Sequence, residues 1–313
     1  MTIYRDLFPD LNANTLLAYG GMETDLIFNK GVDLPGFASY PLLENEQGRA
    51  LLRDYIQGMF VIARQTGVGV ILESPTWVAN RDRGAALGYT PDQLCQLNRD
   101  AIAMIAQERA LAQDVVAVIS ANLGPRGDAY APKTQMSAKE AEHYHSEQVR
   151  AVADTQTDIL SAYTLTYVSE AIGIVRATRK SALPVVISFT VETDGHLPTG
   201  QTLKSAIEEV DAATDGYAAY YMINCAHPDH FLKILDVGAW MGRLKGIVAN
   251  ASRCSHAELD EATELDAGDP KELGRQIATI QTDFPHINVL GGCCGTDMRH
   301  LEEIAIRSVC RST

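Results

Sequence analysis

The chain alternates short apolar, strand-like runs with longer segments of helical periodicity, and this alternation restricts its fold more than any other feature. Parallel strands cannot be joined by a tight turn, so strands separated by helix-length segments predict a parallel sheet with helical crossovers. Eight runs qualify as strands. They are "TLLAYGG" (15–21), "GVILES" (69–74), "VVAVISAN" (115–122), "DILSAYT" (158–164), "LPVVISFT" (183–190), "YAAYYMINC" (217–225), "LKGIVANA" (244–251) and "INVLGG" (287–292). Eight is the number that a closed (β/α)8 TIM barrel requires, and an α/β barrel spanning residues 1–313 as a single domain is the leading expectation. A doubly wound open sheet is the alternative.

The intervening segments carry helix start signals. Ser137 with Glu140, Ser255 with Glu258, and Asp269 with Glu272 have capping-box spacing, the last with Pro270 at the first helical position. Thr90, Pro91 and Gln93 repeat the combination before "LCQLNRDAIAMIAQ". Leu273, Ile277 and Ile280 share one helical face, as do Met298, Leu301 and Ile304. No linker, charge block or low-complexity run divides the chain. A barrel of this kind carries its chemistry at the carboxyl ends of the strands.

Composition narrows the class of partner. No stretch approaches the roughly 18 uninterrupted apolar residues of a membrane helix, and the opening "MTIYRDLFPDL" lacks the basic start and apolar middle of a secretory leader. A formal net charge of −14 argues against nucleic acid or an anionic membrane as the main partner. Six cysteines, at 95, 225, 254, 293, 294 and 310, are too sparse for a secreted disulfide framework and suit a reducing cytoplasm. Small molecules are the expected partners; a homo-oligomer is left open.

Three of those cysteines fall at strand ends. Cys225 closes the sixth strand, and Cys293 and Cys294 follow the eighth between Gly291–Gly292 and Gly295. Adjacent cysteines rarely bridge each other, because a disulfide needs more separation than one peptide provides. A metal site, a reactive thiol and plain packing remain as readings. In a barrel the tops of strands six and eight share one rim, so the three thiols can converge; three thiolates with an open fourth position suit catalytic zinc. Cys95, Cys254 and Cys310 read as ordinary small hydrophobes. His227 and His230 follow Cys225 closely and read as first-turn residues of the next helix, capping it or facing solvent, before they read as ligands.

At these residues the chain resembles the homocysteine S-methyltransferase family. "GGCCGT" (291–296) together with "NC" (224–225) is similar to that family's zinc signature, and "GGMET" (20–24), "LGP" (123–125), "SFTVETDG" (188–195) and "INVLGG" (287–292) stand in the family's order. The resemblance implies a (β/α)8 barrel, a Zn2+ ion on Cys225, Cys293 and Cys294, and Asn250 as a candidate oxygen for the fourth position. It implies methyl transfer to the sulfur of homocysteine, giving methionine. A sulfonium donor, S-methylmethionine or S-adenosylmethionine, is the simplest expectation, because 313 residues leave no room for folate and cobalamin domains. By the same resemblance Gly20, Gly21, Glu23, Tyr163, Thr164 and Asn224 are the candidate substrate contacts.

Two positions depart from the family pattern. Tyr19 stands where an Asp commonly precedes the paired glycines, and Tyr163 stands where a Glu commonly precedes the threonine after strand four. The substrate ammonium still needs an anion, and Glu23 or Glu73 can supply it. Trp77, in "ESPTW", reads either as core or as an aromatic wall for a sulfonium methyl. Asp194–Gly195 is a turn signal, and the acidic 258–270 segment reads as an exposed loop leading into a helix. Two rival readings follow: a methyltransferase for another small thiol or selenol, and a non-catalytic zinc- or redox-sensing barrel.

Overall fold

Every one of the eight apolar runs becomes a strand, and each is flanked by parallel neighbours. A computed structural model describes residues 2–11, 14–132 and 134–309. Its strands are β1 (Leu16–Gly20), β2 (Gly69–Glu73), β3 (Ala117–Leu123), β4 (Ile159–Leu165), β5 (Val185–Phe189), β6 (Tyr220–Asn224), β7 (Leu244–Ala249) and β8 (Val289–Gly292). They close in chain order, with β8 pairing back onto β1, so the ring excludes the open-sheet alternative. The strands are buried on both faces, as expected of a parallel sheet covered by helices.

Seven long helices among the described residues form the outer layer: α1 (Glu46–Thr66), α2 (Pro91–Leu111), α3 (Ala138–Ala153), α4 (Val168–Lys180), α5 (Leu203–Thr214), α6 (Pro270–Asp283) and α7 (Met298–Val309). Capping boxes start α2 at Thr90 and α3 at Ser137, and another starts the short helix His256–Asp260 at Ser255. Asp269 caps α6 through the Lys271 and Glu272 amides, but Glu272 does not complete the box: its carboxylate accepts from Arg253 at 2.7 Å. Between β6 and β7 the crossover holds only the four-residue helix Pro228–Phe231 and two turns of 3-10 helix. None of the helices is long and apolar enough to cross a membrane, among the described residues.

Inside the ring, period-two alternation gives two layers. Leu16, Ile71, Val118, Ile159, Val186, Tyr220 and Val289 fill the amino-terminal half, and the segment before β1 covers it with Tyr4, Phe8 and Leu11. That segment is tied down where Ile3 and Tyr4 amides donate to Asp158, at 2.8 and 2.9 Å. Asp158 is itself fully buried and paired with Arg109. Toward the carboxyl ends the interior turns polar. Ser120 and Ser161 hydroxyls meet at 2.7 Å, with Glu73, Asn122, Ser188 and Asn224 above them. The barrel is thus plugged at one end and carries polar side chains at the other.

Candidate metal centre

Because β6 ends at Asn224 and β8 at Gly292, the cysteines are the first residues past two strand ends on the same rim. Their three sulfurs lie within 4.8 Å of one another. The backbone is held on every side. Cys225 adopts a left-handed conformation (φ 53°), and its amide donates to the Val248 carbonyl at 3.2 Å. The Cys293 amide donates to the Ala249 carbonyl at 2.7 Å, while the Thr296 hydroxyl and amide donate to the Cys293 carbonyl at 2.7 and 3.1 Å. Gly21 lies against this turn with φ +61°, where a Cβ would come within 2.5 Å of the Cys293 carbonyl oxygen. Only glycine suits both the conformation and the space.

Charge is shared unevenly among the thiols. Hydrogen bonds from Cys293 and Cys294 hold the Cys225 thiol well below its usual range, against burial, and the Tyr130 hydroxyl adds to them. Donating to Cys225 and being buried push Cys293 and Cys294 well up. Full ionisation of all three at this spacing requires a cation. The donor set, three soft sulfurs with one side open to a pocket, can hold a thiophilic metal ion. Asn250, just past β7, is buried, and its Oδ1 has no hydrogen-bond partner; with Cys294 it lines the groove outside the pocket.

A pocket opens directly above the sulfurs. Tyr19, Gly21, Glu23, Trp77, Tyr163, Thr164 and Asn224 are among its lining residues, and no cationic side chain lines it among the described residues. A hydrogen-bond chain leads to the metal-ligand candidate. The Ser188 hydroxyl donates to Asn224 Oδ1 at 2.6 Å, and Asn224 Nδ2 donates to Thr164 Oγ1 at 2.8 Å. Thr164 Oγ1 then faces Cys225 Sγ at 3.9 Å. Asn224 Oδ1 also accepts from the Thr164 amide at 2.9 Å, so Asn224 spends its side chain on bracing Thr164, whose φ is +64°. Gly20 is not in the pocket: its amide donates to Tyr55 Oη at 2.7 Å, and a Cβ there would strike Leu301.

The two carboxylates proposed for an ammonium group differ. Burial raises the Glu73 carboxyl, but Ser120, Asn122, Tyr163 and Ser161 all hydrogen-bond to it, with Tyr163 Oη at 3.0 Å and Asn122 Nδ2 at 3.2 Å. Glu23 lines the pocket with one side-chain donor, Ser39 Oγ at 2.7 Å, and burial pushes it up to about 7. Glu23 is the carboxylate left short of partners. Trp77 does wall the pocket, with Phe37 edge-on at 6.3 Å and the Arg83 guanidinium 5.6 Å from its ring.

A wider groove continues from the pocket past Cys294, lined in part by Phe28, Tyr130, His256, Glu264 and Asp266. Sequence reasoning missed Tyr130 and His256. The Gly- and Pro-rich run "GPRGDAY" after β3, on the catalytic rim, was the available signal for Tyr130. For His256 there was none, since its partner Cys225 lies in another loop. The acidic 258–270 segment is mostly exposed as expected, although Glu264 and Asp266 border the groove. His227 caps its helix, accepting from the Asp229 amide at 3.2 Å, but neither it nor His230 faces solvent: both are buried. Cys95 is exposed on α2 and Cys254 half-buried, both away from the cluster; Cys310 lies outside the described residues. Gly195 (φ +86°) forms the turn after β5.

Compared with known proteins, the chain matches the family model described as homocysteine S-methyltransferase over residues 16–307. No curated relative matches it. Among solved structures it is similar to the homocysteine methyltransferase MmuM from Escherichia coli. The oxidized form gives a TM-score of 0.73 at 20% identity, covering 97% of this chain and 99% of that one. The metallated form gives 0.69 at 19% identity, covering 94% and 96%. At such identity the likeness is one of fold.

Proposed function

This chain belongs to the homocysteine S-methyltransferase family, and we propose that it transfers a methyl group from a small sulfonium donor, S-methylmethionine or S-adenosylmethionine, to the thiol of homocysteine, giving methionine. The observation that carries this reading is the convergence of Cys225, Cys293 and Cys294, sulfurs within 4.8 Å, at the floor of a pocket. The three cysteines suit Zn2+, with Asn250 Oδ1 a nearby oxygen short of a partner. Zinc held there supplies the Lewis acidity that keeps an incoming thiol deprotonated at neutral pH.

The chain's own residues do the rest. Tyr19, Trp77 and Tyr163 shape the pocket, and Thr164 is braced by Asn224 beside Cys225. Glu23, which lines the pocket with fewer side-chain donors than Glu73, receives the substrate ammonium group, while Glu73 keeps Tyr163 in place. In the transfer, a sulfur lone pair of the deprotonated acceptor forms the new S–CH3 bond. The donor's C–S bond breaks, and its electrons leave on the donor sulfur, which departs as a neutral thioether. No general acid is needed for that leaving group. Holding both reactants in line supplies much of the acceleration. Glu23 in a pocket with no cationic lining side chain among the described residues, and Asp128, Glu264 and Asp266 against one cation, Arg83, in the groove beyond it, favour a cationic donor.

The test is to supply zinc-loaded protein with chain-deuterated L-homocysteine and a CD3-labelled sulfonium donor, and to measure by mass spectrometry methionine that carries both labels, since the thioether released by S-methylmethionine is itself methionine. Doubly labelled methionine, lost together with bound zinc in Cys293→Ser, is expected. A labelled product from a different small thiol in competition, with none from homocysteine, would replace the acceptor. That second reading is favoured by Glu73 being already saturated with donors. Bound zinc with no methylated product from any thiol would leave the non-catalytic reading instead.

A further inference from the structure

Of the three clustered cysteines, Cys225 alone has positive φ, at 53°. A left-handed conformation costs a residue with a Cβ roughly 1–2 kcal/mol, so surrounding contacts must hold it. Its carbonyl oxygen accepts from His256 Nε2 at 2.6 Å and from Thr190 Oγ1 at 3.3 Å. His256 is itself fixed on three sides. Its Nδ1 faces Glu192 Oε1 at 3.3 Å, the Tyr130 ring stacks on it with centroids 4.1 Å apart and planes 29° apart, and the Ser255–Glu258 capping box anchors its backbone. The ring is nearly buried, with 7% of its surface exposed. Loops following β3, β5 and β7 therefore converge, through one imidazole, on the carbonyl of the residue that follows β6.

We propose that His256 is a positioning residue for the metal centre: its hydrogen bond to the Cys225 carbonyl fixes the left-handed backbone that turns the Cys225 sulfur toward Cys293 and Cys294. This rests on the reading that the three cysteines hold zinc. His256 contributes no ligand and touches no reacting atom. It sets the geometry of a ligand that the other two cannot adjust to, because Cys293 and Cys294 sit on one turn locked by Thr296 and Gly21. Partners that orient a ligand in this way are typically worth 10- to 100-fold in metal affinity.

The experiment measures zinc dissociation constants by competition with a chromophoric chelator, and the thiolate-to-metal absorption of the Co2+-loaded protein. It compares wild type with His256→Ala, His256→Gln and Gln93→Ala. The expected result is about 10- to 100-fold weaker zinc binding in His256→Ala, with a weakened cobalt band. His256→Gln, whose amide can still donate, should stay within roughly threefold of wild type. Gln93→Ala removes a capping-box partner at the start of α2, a helix that contributes nothing to the cluster, so it should bind zinc like wild type. Unchanged affinity in a folded His256→Ala, or an equal loss in Gln93→Ala, would overturn the assignment. Should His256→Ala not fold, His256→Gln decides: near-wild-type affinity supports the role, and a loss of tenfold or more overturns it. A wild type that binds no zinc would remove the metal reading and this one with it, whereas tight wild-type binding unchanged in His256→Ala removes this one alone.

Discussion

Glu23 is a carboxylate held where its charged form is disfavoured. It lies buried in a pocket without a cationic lining side chain among the described residues, with a single side-chain donor in Ser39. Burial lifts its carboxyl from 4.5 to about 7. A raised carboxyl means that the folded state holds the proton more tightly than the unfolded chain between those values. Stability is therefore lost as pH rises through that window and regained as pH falls. In metal-free protein, Glu23→Gln should be more stable than wild type at about pH 8, by up to about 3 kcal/mol. The gap should close as pH falls below about 4.5, where the wild-type carboxyl becomes protonated in both states. Urea unfolding at several pH values reads this directly, and a gap independent of pH would show that Glu23 is already compensated. The same substitution should weaken homocysteine turnover by about 30-fold or more, the cost of removing one partner of a buried charge pair. A desamino analogue, 4-mercaptobutanoate, should lose little.

At the scale of elements, β8 and the turn after β1 form one unit. The Gly21 amide donates to the Gly292 carbonyl at 3.2 Å, and the Thr24 hydroxyl accepts from the Gly295 amide at 3.1 Å. Gly21→Ala forces a Cβ into two backbone carbonyls, within 2.4–2.5 Å, at a φ that alanine disfavours. The variant should lose at least about 2 kcal/mol of stability and should bind zinc more weakly, because the turn that presents Cys293 and Cys294 must move. Thermal unfolding and metal titration of the same sample check both; normal metal affinity would mean the turn accommodates the methyl. The strands themselves were legible in the sequence, since a parallel strand buried on both faces reads as a mostly apolar run, broken here mainly toward the carboxyl ends by residues such as Glu73, Asn122 and Asn224. The convergence of Cys225 with Cys293 and Cys294 was legible for the same reason, each lying at a strand end. What escaped was set by loops. Tyr130, His256 and Glu192 meet through tertiary contacts that no spacing encodes, and Glu272 left its capping role because Arg253, from another loop, offers a charged partner. Asn224, a candidate substrate contact that lines the pocket, also braces Thr164, a left-handed residue within β4, by accepting from its amide.

For the molecule as a whole, the consequence is that a metal ion held by all three cysteines would be coupled to folding. Cys225 lies 68 residues before Cys293, and nothing local brings them together. Their approach requires β6, β7 and β8 in register, with Ile223 beside Ile247 and Ile247 beside Leu290. That register in turn requires the ring to close through β8 and β1. The plug of Tyr4, Phe8 and Leu11 adds to it by filling the opposite end of the same interior. In the unfolded chain, Cys293 and Cys294 remain adjacent but Cys225 is remote, so the complete three-sulfur site exists only in the closed barrel. Zinc should therefore stabilise the fold by RT ln(1 + [Zn]/Kd), about 2.7 kcal/mol when free zinc is 100 times its dissociation constant. Urea unfolding of zinc-loaded and chelated protein should show a higher midpoint with zinc and an unchanged slope. Cys225→Ser should abolish most of the increment although the adjacent pair survives. An increment retained in that variant would mean that Cys293 and Cys294 hold the metal without Cys225, and the site would then not depend on closing the ring.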